Sequence, residues 1–337
     1  MQKKNPAKRR PERLAVILLS LLFISTAVFA TVKYVFRAPE LDTDKPVVTP
    51  DGTASTDVDR TGTDEPDALG RTRRKYCYNI LVSGLDDDNG GSDTNILVRF
   101  DVPNKRIDLV SLPRDTLLHN EYRNNKLNFA YAKGGTELLM EQIENLLGIP
   151  VDFYVTVNLK GFIALVDQID GVDFDIPINM DYDDPYQDLH IHFTKGPCHL
   201  NGQEAMEVVR FRHNNDGTGY GTEDIGRIGT QQAFLKAVAK QLLQIGNVKN
   251  IPALVDIFYT YVKTDLTTGN LVWLGNEALN IGTENIHFAT LPGDGSGYYN
   301  KQSVYVLDAQ ATCDLVNEAL NPYNEALTLE DMDILVP

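Results

Sequence analysis

Arginine is scarce in the body of this 337-residue chain, and where it occurs it is grouped. Beyond residue 76 there are Arg99, Arg106, Arg114, Arg123, Arg210, Arg212 and Arg227. Four of these sit in segments that interrupt the surrounding apolar pattern. Arg114 follows Ser111-Leu112-Pro113 just past a predicted strand, where open α/β sheets bind their ligands. Arg210 and Arg212 flank Phe211, so an extended backbone places both guanidiniums on one face. Arg227 and Gln231 are i,i+4 neighbours in the first turns of a long predicted helix, beside its positive dipole end. Guanidiniums, an amide donor and a helix N-terminus suit a polyanion, most simply a diphosphate. Lys126, in Lys-Leu-Asn-Phe-Ala-Tyr, is a further candidate cation.

An acidic, glycine-rich segment runs from Gly84 to Thr94. Asp86 ends one predicted strand and Asp93 precedes the next, so the loop between them brings the two carboxylates together. Such oxygen ligands suit Mg²⁺ or Mn²⁺, which bind through one or two carboxylates plus a substrate phosphate. Asp87 and Asp88 read as a solvated hairpin. Asp115, next to Arg114, is either a proton acceptor or an anion that orients an arginine. No nucleophile elbow, Walker loop or dinucleotide fingerprint is present. His190 and His192 share one strand face, the spacing of a metal pair, but with no third ligand near them in sequence they read as an ordinary hairpin. Cys77, Cys198 and Cys313 read as isolated thiols, and Trp273, Tyr298, Tyr299 and Tyr305 as core or rim packing.

The elements that must position these residues are legible as apolar periodicity. Strands are expected at Tyr78–Val82, Ile96–Phe100, Ile107–Leu112, Phe153–Val157, Val172–Ile176, Ile286–Thr290 and Val304–Val306. Helices are expected at Thr136–Leu147, Gly161–Gln168, Asn201 to Val209, 224–243, 251–262, 269–280 and 308–320. The stripe Ile228, Leu235, Ala239 and Leu242 marks the core face of the longest. Alternation of strands and helices predicts a three-layer α/β/α sandwich around a central mixed sheet.

Ahead of that domain the composition changes. The net charge of −16 excludes a generic nucleic-acid binder, yet residues 1–13 carry six basic residues against Glu12. Residues 14–32 then form an uncharged, apolar run that nearly spans a bilayer core of roughly 30 Å. The positive-inside rule puts residues 1–13 in the cytoplasm and everything after the single transmembrane helix outside. Residues 33–75 read as a disordered, acidic stalk. Arg71, Arg73, Arg74 and Lys75 close it as a solvated charge run. The folded domain is expected over 76–337.

These segments resemble the LytR-CpsA-Psr family of cell-envelope proteins. The matching stretches are NILVSGLD at 79–86, SDTNILV at 92–98, SLPRD at 111–115, KLNFAYAKGG at 126–135, LLGIPVDFYVTVN at 146–158, LVDQIDGVDFDIP at 165–177, MDYDDPYQDLHIHFTKG at 180–196, LNGQEAMEVVRFRH at 200–213 and GRIGTQQAFLKA at 226–237. The resemblance implies a membrane-anchored, extracytoplasmic phosphotransferase. It would move an anionic glycopolymer, such as teichoic acid or capsule, from an undecaprenyl-diphosphate carrier to peptidoglycan, with Mg²⁺ or Mn²⁺. By motif position Asp86 and Asp93 would hold the metal, and Arg114, Lys126, Arg210, Arg212, Arg227 and Gln231 the diphosphate. Asp93, Arg114, Asp115 and Arg227 would be the catalytic set. Membrane lipid is a further implied partner. Alternatives of related chemistry are a polyprenyl-diphosphate hydrolase and a non-catalytic lipid-diphosphate-binding regulator. This chain departs from the family pattern at Thr230, where many members carry a second arginine, and at Asp88. It also has a longer glycine-rich excursion between His213 and Arg227, which reads as a surface loop.

Overall fold

The computed structural model describes residues 37–41, 66, 69–85, 91–122, 124–186, 188–220, 223–244 and 257–336, with backbone pairing at 47–48 and 54–55. The basic tail, the apolar run 14–32, most of the stalk, Asp86 and Arg123 lie outside the described residues. Among the described residues no helix is long and apolar enough to cross a membrane.

The chain builds β1 (Cys77–Leu85), β2 (Ser92–Asp101), β3 (Arg106–Leu112), α1 (Leu127–Leu147), β4 (Phe153–Asn158), α2 (Leu159–Gln168) and β5 (Val172–Ile176). Then come β6 (Met180–Asp184), β7 (Leu189–Phe193), β8 (Gly196–Leu200), α3 (Gly202–Arg210) and α4 (Glu223–Gln244). The C-terminal part adds β9 (Val262–Thr264), α5 (Thr268–Ile281), β10 (Ile286–Thr290), β11 (Gly293–Tyr299), β12 (Gln302–Leu307) and α6 (Ala309–Ala319). Six strands form one mixed sheet in the order β9-β4-β1-β2-β3-β10. β4 is parallel to β1 and β10 to β3, and both β1 and β3 are antiparallel to β2. Hence β1, β3, β4 and β10 all point the same way, and their carboxyl ends share one edge.

The pleat of the sheet separates two cores. Leu81, Leu97, Val110 and Leu112 face α1 and α6, whereas Tyr78, Ile80, Phe100 and Ile107 face α5. A third core lies apart from these faces, where Phe174, Ile191, Val208, Phe211 and Phe234 join three helices to the ribbons β5-β8 and β6-β7. The sandwich expectation therefore holds for the sheet and needs this addition.

Several local expectations shift. α1 begins nine residues before Thr136, because Gly134 and Gly135 kink the helix instead of ending it. Gly135 takes φ +69°, which only glycine adopts at little cost. The buried stripe of α4 runs through Arg227, Ile228, Thr230, Phe234 and Val238, with Leu235 and Ala239 only half-buried. This helix packs against α3 and the ribbons at once, so a single stripe does not describe it. Of the segment 71–75 only Lys75 is solvated as expected. Arg73 is 3% exposed and pairs with Asp152, Arg71 stacks over Tyr323, and Arg74 reaches Asp101 and the Asn321 carbonyl. The folded unit thus begins before residue 76. It also holds 37–41, where the Pro39 and Arg37 carbonyls accept from Tyr78 Oη and Asn270 Nδ2.

Candidate active site

A cavity of about 300 Å³ opens at the carboxyl edge of the sheet. Gly84 and Leu85 from the end of β1, Asp93 and Thr94 from the start of β2, and Arg114 beyond β3 form its floor. Arg210 at the end of α3, Arg212 and His213 just after it, and Arg227 and Gln231 on α4 form its roof. Tyr182 and Leu189 from the β6-β7 ribbon complete the wall. Four guanidiniums thus face one space, and among the described residues Asp93 is the only carboxylate that lines it.

Each guanidinium reaches the cavity for a local reason. Pro113 ends β3, and the turn that follows turns Arg114 toward β2, where Nη1 donates to Asp93 Oδ1 at 2.6 Å. α3 opens with a capping box between Asn201 and Glu204, worth about 1 kcal/mol. It ends at Arg210, so that residue is helical and not extended as the alternating reading required. Arg212 still reaches the same cavity, because Phe211 between them is fully buried against Tyr220 at 5.5 Å. Arg227 is 6% exposed in the first turns of α4, as its spacing implied.

α4 is fixed from two sides. Gln232 Nε2 lies 3.0 Å from Ser111 Oγ, 2.7 Å from the Ala289 carbonyl and 2.9 Å from Thr290 Oγ1, tying the helix to the ends of β3 and β10. On the other side Tyr220 closes over the helix start. A Cβ at Gly226 would sit 2.1 Å from Tyr220 Cβ, so only glycine permits the contact. The Thr230 hydroxyl lies 2.8 Å from the Tyr220 hydroxyl, and burial holds that phenol's pKa above its ordinary value. Thr230, the departure from the family pattern, is therefore an anchor for the glycine-rich excursion. That excursion is tied down further: Asn214 and Asn215 accept from the Asp181 and Asp183 backbone.

Four expected residues stand differently. Asp115 and Lys126 do not line the cavity: Lys126 Nζ lies 3.2 Å from Asp115 Oδ2, and Asp115 Oδ1 lies 3.5 Å from Arg114 Nε. They form a row behind Arg114, which favours the orienting role for Asp115 over proton acceptance. Gln231 lines the cavity, yet one of its N–H groups is committed to the Val209 carbonyl at 3.0 Å. Asp86 lies outside the described residues. Sequence reading missed Tyr182, His213, Leu159 and Gln232. Tyr182 and His213 stack edge to face at 5.4 Å, a contact between ribbon and loop that no spacing announces.

A mixed α/β sheet with an arginine-lined cavity at its carboxyl edge defines the class of protein. Comparison with known proteins narrows it, since the sequence model of the LytR_cpsA_psr family matches residues 48–321. The chain belongs to that family. It is 32% identical over 252 residues to the polyisoprenyl-teichoic acid–peptidoglycan teichoic acid transferase TagV of Bacillus subtilis, covering 71% of this chain and 62% of that relative. The corresponding transferase TagU of Bacillus cereus is 30% identical over 267 residues, covering 78% and 83%. The crystal structure of Bacillus subtilis TagV superposes with a TM-score of 0.63 at 27% identity, over 78% of this chain and all of the other.

Proposed function

We propose that this protein is a membrane-anchored phosphotransferase that moves an anionic glycopolymer from an undecaprenyl-diphosphate carrier to a peptidoglycan sugar hydroxyl. The observation that carries this reading is the convergence of Arg114, Arg210, Arg212 and Arg227 on one cavity of an otherwise acidic domain. The transferase names of TagV and TagU agree with it.

In this reading the four guanidiniums grip the diphosphate oxygens. The sugar hydroxyl attacks the phosphorus next to the polymer, the P–O bond to the carrier phosphate breaks, and the electron pair leaves on the lipid phosphate. Little covalent chemistry falls to the protein, and its contribution is positioning and charge neutralisation. Asp115 and Lys126 hold Arg114 in place. Among the described residues that line the cavity, Asp93 is the carboxylate the attacking hydroxyl's proton could reach.

The cavity also fits a hard divalent cation, because Asp93 offers carboxylate oxygen beside the place where phosphate oxygens would lie. Mg²⁺ would be held by Asp93 with Asp86 as its expected second ligand, and it would spread the charge of the diphosphate.

The test uses the full chain with a labelled lipid-diphosphate glycan, a peptidoglycan oligomer and Mg²⁺. Label on the oligomer is expected; release of free phosphorylated glycan alone would replace transfer by hydrolysis.

A further inference from the structure

The β6-β7 ribbon carries a second cluster of chemistry on the face turned away from the cavity. Register pairs Asp183 with His190 and Asp181 with His192, and strand alternation exposes all four on one side. The opposite side buries Met180, Leu189 and Ile191. His190 Nδ1 lies 2.5 Å from Asp183 Oδ1, and His192 Nε2 lies 3.3 Å from the same oxygen. The outward nitrogens also meet carboxylates: His192 Nδ1 is 2.8 Å from Asp181 Oδ1, and His190 Nε2 is 3.7 Å from Asp188 Oδ1. One ligand atom each from Asp183, His190 and His192 lies within 4.8 Å of the others.

Both nitrogens of each ring therefore face an anion. A neutral imidazole has one N–H and one bare lone pair, so one contact per ring is repulsive unless a second proton is bound. A divalent cation can replace those two protons. The geometry points to a zinc-class transition-metal site in which His190 Nδ1, His192 Nε2 and the Asp183 carboxylate are the ligands. Asp181 then accepts the remaining N–H of His192, the carboxylate–histidine–metal arrangement that fixes tautomer and orientation, and Asp188 lies 3.7 Å from that of His190. Two imidazoles and one carboxylate, with a position left for water, match Zn²⁺ and not Mg²⁺, which prefers an all-oxygen shell. The Asp183 side chain must swing aside to bind, because its oxygen now occupies the point between the two nitrogens. Bound there, the metal cross-links β6 to β7 directly behind Tyr182 and Leu189, two residues of the cavity wall. The site shares no ligand with the diphosphate cavity and stands whether or not the proposed transfer does.

The experiment is titration of chelator-stripped, tag-free full-length protein with Zn²⁺ alone and with Mg²⁺ alone, followed by calorimetry. Co²⁺ absorption reports on nitrogen ligation. One Zn²⁺ per chain is expected, unaffected by excess Mg²⁺ and by Asp93→Ala. His192→Ala and His190→Ala should abolish stoichiometric binding, and Asp181→Asn should weaken it about tenfold to a hundredfold. All these side chains are exposed, so circular dichroism should stay unchanged. Absence of 1:1 Zn²⁺ uptake overturns the proposal. So does uptake that survives both histidine changes, or that disappears with Asp93→Ala instead.

Discussion

Two groups of arginines at opposite edges of the same sheet meet opposite fates. At the edge where β1 begins, Arg73 is met by Asp152, Arg74 by Asp101, and both Arg99 and Arg106 by Asp108. The three aspartates are almost fully buried, and the exposed Glu318, 3.4 Å from Arg106, supplies the fourth negative charge, so four cations meet four anions within the protein. At the carboxyl edge four guanidiniums line a cavity in which Asp93 is the one carboxylate among the described residues. Burial of an uncompensated charge is costly, so the first group is structural and complete. The second group converges on an open cavity, where several guanidiniums can reach one anion at once. In a net acidic protein, what decides whether an anion can be gripped is this local convergence and not the total charge.

The sharpest way to break this contrast is to remove a member of the first group. Arg73→Ala leaves Asp152 buried without its cation and should cost about 3–5 kcal/mol in urea unfolding. Transfer per folded molecule should be unchanged. A loss below about 1 kcal/mol would mean that water serves Asp152 as well, and the distinction between the edges would fail. Next in size is Arg114→Ala, expected to lower transfer about 10²–10³-fold while the melting transition stays nearly in place. A variant that unfolded but still turned over would reverse the assignment.

Gln232→Ala tests whether α4 must be fixed for its arginine to act. It removes the tie to Ser111, Ala289 and Thr290 and should cost about 1–3 kcal/mol, with a raised KM. The smallest effect concerns an exposed pair. The hydrogen bond to Asp173 raises the His199 pKa, so its stabilisation is complete below the unfolded value of about 6.5. It is lost as pH rises through the higher folded value. His199→Ala should flatten the stability profile above about pH 6.5 and leave transfer unaltered, as pH-dependent melting would reveal.

What the sequence disclosed follows from how local each feature is. β1, β2 and β3 are long runs of β-branched and apolar residues, and β5 and β10 match their expected limits. The four cavity arginines stood out because composition around them is acidic and turn residues break the pattern. The ribbon strand β8 and the edge strand β9 were missed, being short and half-polar: Gly-Pro-Cys-His-Leu does not look like a strand until Val172–Ile176 lies beside it. The misreading of Arg71, Arg73 and Arg74 has the same origin. Their partners Asp101, Asp152 and Tyr323 lie far along the chain, and a charge run looks solvated when its counter-ions are out of view. Asp183, the third ligand that His190 and His192 lacked in sequence, became a neighbour only through the hairpin register.

The docking of residues 37–41 and 71–74 at the start of β1 has a mechanical meaning. The chain enters the domain at the far end of a nine-residue strand, roughly 30 Å from the cavity. Tension applied through the N-terminal segment is borne by the Pro39–Tyr78 hydrogen bond and the Arg73–Asp152 pair. The arginine-lined cavity lies beyond that load path, so a pull at the entry of the chain is borne at one edge of the sheet and spares the other.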